Sequence, residues 1–239
     1  MRQDWTLNLA SRQAVEVWHG EARRLRGLLD VVSECVAAEY QAPLVWRDED
    51  LSVEQWRDLD EIVAEMERQQ LRDDFGKIMK GGGATGVVQG YRNDLPREMT
   101  NVLWTAGSDE WSFSAAADFY TKDLAGGHAR PFADHSVDWL VRLLSASAAA
   151  VSAEEGRIYT GPLIDALIDE RMEAAVGALT LAPHGIDPAA LPASITAYPC
   201  PVGYPDGQIL VADLERVTND PASLVNDLLA IDDALTARR

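Results

Sequence analysis

The strongest constraint on this chain lies between Ser11 and Tyr40. There Val15, Trp18, Ala22, Leu25, Leu29, Val32 and Val36 recur by threes and fours, the spacing that gathers apolar side chains on one face of an α-helix. Ser11 stands where an N-cap hydroxyl would accept from the first free amides. The stripe lasts only about three heptads and carries Gly20 and Gly27, which suits a helix laid on a sheet better than a coiled coil. Just before it, "DWTLNLA" alternates Trp5, Leu7 and Leu9 with polar neighbours, the period of a strand buried on one side. A one-faced strand running into a long amphipathic helix commits the fold to helices packed on a sheet.

The later segments extend that architecture. Between residues 81 and 120, "GVVQGYR", "MTNVLWTAG" and "EWSFSAAADFY" are separated by "NDLPRE" and "SD", which predicts an antiparallel meander. Asp134 or Ser136 can cap a helix bearing Val137, Leu140, Val141, Leu144 and Val151. Pro162, in a first-turn position, opens another with Ile164, Leu167, Ile168, Ala175 and Leu179. A proline-rich connection over 183–206 holds a short edge strand at "SITAY", and "GQILVADL" reads as an apolar strand. "NDPASLVNDLLAIDDAL" closes the chain as a helix with Asp220 as N-cap and Pro221 at N1. Residues 1–239 show no internal repeat and no break in composition. They read as one α+β domain with a mostly antiparallel sheet covered by amphipathic helices.

The stretch "LSVEQWRDLDEIVAEMER", residues 51–68, raises a different question. Read as one helix from a Ser52/Gln55 capping box, it aligns Trp56, Leu59, Val63 and Met66 on one line and Glu54, Asp58, Glu61 and Glu65 on another. Like charges at this spacing weaken a helix by a few tenths of a kcal/mol each. Only Glu54 lies near enough to the N-terminus to gain from the helix dipole. With 39 acidic and 21 basic side chains the 239-residue chain carries a formal net charge of −18. That field repels phosphate backbones and anionic lipid, which argues against nucleic acid or a membrane surface as partner, and it favours encounter with a basic protein. The expected binding face is Asp48, Glu49, Asp50, Glu54, Asp58, Glu61 and Glu65, with Trp46 beside "RDED" as a possible anchor.

Signs of catalysis are weak. "GGGATG" at 81–86 satisfies a dinucleotide pattern through Gly81, Gly83 and Gly86, yet charged "RDDFGKIMK" precedes it and strand-forming "VVQGYR" follows, so the strand and helix that such a loop must join are missing. His19, His128, His135 and His184 show no metal-helix spacing. A hydrolase-like loop site built from His128, Asp134 and His135 is the alternative reading, against the simpler one in which Asp134 caps a helix and His135 sits in its first turn. No cofactor, metal or catalytic residue is expected. Cys35 and Cys200 form no disulfide or zinc pattern, and "MRQDWTLNLA" lacks the apolar run of a signal peptide, so the expected compartment is the cytoplasm.

Three phrases carry a resemblance. "WTLNLASRQAVEVWHGEARRLRGLLDVV", the strands around "VLWTAG" and the ending "VGYPDGQILVADLERVTNDPASLVNDLLAIDDAL" resemble the immunity protein 52 family of bacterial polymorphic toxin systems over nearly the whole chain. The resemblance implies an α+β cytoplasmic protein that binds and blocks a cognate toxin, often a nuclease. The "WTAG" strand departs from the family's tryptophan, asparagine and glycine run, so no residue role is carried over from it.

Overall fold

Trp5, Leu7 and Leu9 point to the same side of β1 (Trp5–Ser11), and every neighbouring strand repeats their alternation. The computed structural model describes residues 4–15, 18–47, 55–92, 98–121, 129–172 and 174–238. Among them β2 (Leu44–Arg47), β3 (Gly82–Arg92), β4 (Glu98–Ser108), β5 (Phe113–Phe119), β6 (Glu155–Thr160), β7 (Leu179–Ala182), β8 (Ile195–Pro199) and β9 (Gln208–Ala212) join β1 in one sheet. Its order is β2-β3-β4-β5-β1-β6-β7-β9-β8, and every pairing is antiparallel. β1 takes the central place, paired with β5 through Leu7↔Ala117 and with β6 through Leu7↔Ile158. The fold is α+β, as the alternation of strand and helix periods implies.

The apolar face of this sheet is covered by α1 (His19–Tyr40) and α3 (Val137–Val151), which lie against each other. Ala22, Leu25, Leu28, Leu29, Val32 and Val36 of α1 meet Trp5, Trp104, Phe113 and Phe119 of the strands in one cluster. Each large side chain buried there contributes about 1.5–3 kcal/mol relative to exposure. Trp139 of α3 donates its indole N–H to the Cys35 carbonyl at 3.1 Å, fixing the two helices in register. At the other end of the sheet, successive residues of β7, and of β9 from Ile209 to Ala212, are buried, so both faces are covered there. α4 (Gly161–Glu170), α5 (Leu214–Asn219) and α6 (Val225–Thr236) gather at that end around the turn Pro221–Leu224.

Several boundaries differ from expectation, each for a local reason. Ser11 ends β1 and caps nothing; α1 begins at His19 after Trp18, whose φ of 63° turns the chain sharply. The side chain of Val15 folds back so closely that a Cβ on Gly20 would meet its Cγ2 at 2.4 Å, so Gly20 is needed there. Ser136, not Asp134, caps α3 by accepting from Trp139 N–H. The helix opened by Pro162 stops at Glu170, and Leu179 belongs to β7. Asp220 and Pro221 open a short 3-10 turn before α6 starts at Val225. "SITAY" does form the edge strand β8, and the meander β3-β4-β5 matches its predicted order.

A buried ion cluster pins the start of α1. The Arg24 guanidinium donates to the Gln13 carbonyl at 2.9 Å, to Ser112 Oγ at 3.1 Å and to the Glu21 carboxylate at 3.3 Å, while Ser112 Oγ donates to the other Glu21 oxygen. Burial holds Glu21 above the usual 4.5 despite these partners. Arg24→Ala removes the compensating charge and leaves a buried carboxylate, which costs about 3–5 kcal/mol. Because a carboxyl group with a raised folded pKa favours the fold below its unfolded pKa, this deficit shrinks as pH falls toward about 4.5. Urea unfolding of the variant at neutral and mildly acidic pH measures both effects.

Candidate interaction surface

The expected carboxylate ridge does not run along one helix. Gln55–Arg57 form a 3-10 turn, and Asp58 is extended backbone whose carboxylate accepts from Asp60 N–H at 2.9 Å. Asp58 therefore caps α2 (Leu59–Arg68) instead of standing on it, a contribution of about 1 kcal/mol. Glu65 is also corrected: it is only 2% exposed, its carboxylate lies against the Arg68 guanidinium, and Gln69 Nε2 donates to it at 2.8 Å. Glu61 remains exposed, with Gln55 Nε2 donating to it at 3.3 Å. Asp48, Glu49, Asp50 and Glu54 lie outside the described residues. The solvent face of α2 consists of Asp60, Glu61, Ala64, Glu67 and, at its end, Arg68.

Trp46 is a core residue, contrary to its expected role as an exposed anchor. It sits on β2 with 7% of its surface exposed, and its indole N–H is shared between Ser33 Oγ at 2.7 Å and the Leu29 carbonyl at 3.2 Å. Across the strand pair it lies on Gly90, where a Cβ would meet the Trp46 ring at 2.9 Å. The large ring fills the space that the glycine leaves. "QAPLVWRDED" reads as a connection because four strand residues carry too little alternation to register.

Of the alternative hydrolase site, the two described residues, Asp134 and His135, differ in exposure. His128 lies outside the described residues, Asp134 is exposed and His135 is buried. The His135 ring stacks on Trp139 at 4.3 Å and meets Trp5 edge-on at 5.4 Å. Its Nδ1 is 3.6 Å from Glu39, which Arg130 already holds at 2.6 Å. Burial depresses His135, so the folded ring is neutral and walled off from any substrate. No group of His, Cys, Asp and Glu among the described residues has the arrangement of a metal site.

Among the described residues, one face of β3, β4, β5, β1 and β6 is left open. Val87, Leu103, Ala116, Asn8 and Arg157 stand side by side on β3, β4, β5, β1 and β6, turned away from α1 and α3. A second row carries Gln89, Asn101, Asp118, Thr6 and Tyr159 in the same strand order. Thr85, Thr105 and Ser114 form a third. All are at least partly exposed; Val87 and Leu103, directly paired, are 44% and 48% accessible.

Among the side chains of these rows only Asp118 and Arg157 are ionisable at neutral pH, in a chain where 25% of residues are charged. Both are engaged. Thr6 Oγ1 donates to Asp118 at 2.6 Å, and burial raises the Asp118 carboxyl above its ordinary value. Arg157 donates to the Ala174 carbonyl. Tyr91 borders the face, with the Arg47 guanidinium 3.7 Å over its ring. The result is a surface rich in Thr and Asn with an aliphatic pair on β3 and β4, depleted in charge as the core of an interface is.

Acidity collects elsewhere. From Gly161 to Arg239 the chain has twelve acidic and four basic side chains. Arg171 forks between Asp232 at 2.9 Å and Asp233 at 2.7 Å, and Arg216 donates to Ser223. Asp165, Asp169, Glu170, Asp187, Asp213, Glu215 and Asp220 remain exposed on this end. A cleft of about 850 Å³ opens between the end of α3 and the turn after β7, with Arg12, Glu154, His184, Asp206 and Arg238 among its walls. Its mixed charges select no ligand sign.

No known family profile matches the chain, and no curated protein matches it. Among solved structures, the chain is similar to one described as "Pseudomonas aeruginosa T6SS protein PA0821", at 15% sequence identity and a TM-score of 0.47, over 94% of this chain and 72% of that one.

Two outcomes check these placements. Trp46→Ala lowers stability by about 3–5 kcal/mol, measured by chemical unfolding, whereas an exposed anchor would leave it unchanged. A buried neutral histidine favours the fold above its unfolded pKa and loses that contribution as pH falls through about 6.5 toward its depressed folded value. His135→Phe therefore flattens the fall in stability on the acid side of pH 6.5 seen in the parent.

Proposed function

We propose that this chain is an immunity-type inhibitor that acts in the cytoplasm by binding a basic, nuclease-type toxin. The observation that carries this reading is the open sheet face, poor in charge on a molecule of net charge −18. A partner approaching the acid-rich end around α4, α5 and α6 is drawn in by long-range attraction, which raises the association rate and weakens with salt. Contact is then made on the sheet, where Val87, Leu103, Tyr159 and the surrounding Thr and Asn side chains exclude water and set the dissociation rate. Division of labour of this kind separates steering from holding. Toxins that cleave nucleic acid carry basic clefts for phosphate, which supplies the complementary sign.

The test is binding kinetics against a basic nuclease toxin encoded beside this gene, with protection of growth on co-expression as a second readout. Val87→Lys with Leu103→Lys raises the dissociation rate by about 100-fold and abolishes protection, in the range expected when the centre of an interface is lost. Neutralising Asp165, Asp169 and Glu170 cuts the association rate several-fold at low salt and little at high salt. Unchanged kinetics in the sheet-face variant would remove that face as the docking surface.

A further inference from the structure

Between α2 and β3 the chain makes an excursion that the sheet and its covering helices do not explain. Gln70 bridges to Ala84, and Arg72 bridges to Ile78, so residues 70–80 project as a small hairpin arm from the edge of β3. Asp73 builds its tip: one carboxylate oxygen accepts from Phe75 N–H at 3.0 Å and from Lys77 N–H at 2.8 Å, and its carbonyl accepts from Gly76 N–H at 2.8 Å. Gly76, at φ 77°, takes a left-handed turn that a side chain would strain. The arm is thus a hydrogen-bonded structure, with Met79 N–H returning to the Leu71 carbonyl at 2.8 Å.

Its side chains are the anomaly. Phe75 at the tip is 96% exposed, and Leu71, Ile78 and Met79 are exposed beside it. Four large apolar residues within nine positions face water, Ile78 beside Arg72 on one side of the hairpin, Leu71 and Met79 together on the other and Phe75 at the tip, an exposure that marks a site for a partner. The arm also reverses the sign of the chain. Arg72, Lys77 and Lys80 stand on it, two of them among the three lysines of the whole sequence, and neither lysine has an acidic partner among the described residues. Asp73, whose carboxylate holds the turn, and Asp74 are the opposing acids, so the arm carries three basic and two acidic side chains.

The complementary surface is on the same molecule. The solvent face of α2, immediately before the arm, presents Asp60, Glu61 and Glu67, and none of them forms an ion pair with Arg72, Lys77 or Lys80 within one chain. A basic apolar arm next to an acidic helix face, unpaired with each other, meets the requirement for an isologous contact in which each copy offers both halves.

We propose that the arm docks onto a second copy of this chain, with Phe75 and Ile78 burying against the partner copy and Lys77 and Lys80 facing the acids of its α2. Two-fold symmetry makes the contact twice, so a small arm contributes doubly. A lipid surface suits it less well, because Asp74 adjoins Phe75 at the tip and the net charge of −18 opposes approach to anionic headgroups. This inference is separable from toxin binding, since its test uses the purified chain alone.

Sedimentation of the purified chain from about 1 to about 100 µM, a span that brackets weak self-association, tests it. The parent forms a dimer that loosens as salt rises from about 50 to about 500 mM. Phe75→Ser with Ile78→Ser weakens the dimer at least tenfold at both salt concentrations, and Lys77→Glu with Lys80→Glu does so chiefly at low salt. Adding Asp60→Lys and Glu61→Lys to the latter restores association, which general destabilisation could not do; unchanged circular dichroism confirms that the arm variants fold. A parent that stays monomeric throughout, including one that sediments with phosphatidylserine vesicles, overturns the proposal. A dimer indifferent to both arm variants overturns it equally.

Discussion

The structure depends on the double pairing of β1. Held between β5 and β6 in antiparallel register, this strand decides which side chains of the whole sheet meet α1 and α3 and which meet solvent. Side chains alternate strictly along a strand, so a slip of one residue would turn Trp5, Leu7 and Leu9 outward and bring Thr6 and Asn8 into the core. The Trp5 ring stacked on Phe119 at 3.9 Å makes such a slip costly, and the buried Glu21, Arg24 and Ser112 cluster ties the following segment to β5. One face is apolar because helices cover it. The opposite face can then carry Thr, Asn, Gln and Tyr without loss of stability.

Much of this was legible before any coordinates. The one-faced period of β1, the long stripe of α1, the β3-β4-β5 meander, the edge strand β8 and the apolar strand β9 all have signals in neighbouring residues. What escaped was decided at a distance. β6 and β7 are short, and β7 is buried on both faces, so "LTLA" has no alternation and resembles the tail of a helix. Trp46 is interior because Gly90 on the next strand leaves room for its ring, a fact absent from its own neighbourhood. Asp58 looks like a ridge position until the backbone turns extended there and makes it a cap.

The proposed binding face is harder to read, because such a face is defined by what fails to cover it. The carboxylates expected to form a binding face over residues 48–65 are partly neutralised, since the Arg68 guanidinium lies against Glu65, and the larger uncompensated excess lies between Gly161 and Arg239. The outward positions of the meander carried a usable sign, since Thr85, Val87, Gln89, Asn101, Leu103 and Thr105 are uncharged in a strongly charged chain. Absence of charge is informative only against a charged background. In the proposed reading an acidic region attracts and a neutral region holds, a division of work familiar from electrostatically steered complexes.

Methyl cross-saturation from the bound toxin into this protein tests the central claim most directly, because it reports which side chains lie at the contact without altering any of them. The account places the strongest attenuation on the methyl groups of Val87 and Leu103, with Ala116 beside them on the same row. Attenuation confined to the methyls of the helices, or to Ile78 and Met79 of the arm, with Val87 and Leu103 untouched, would contradict it.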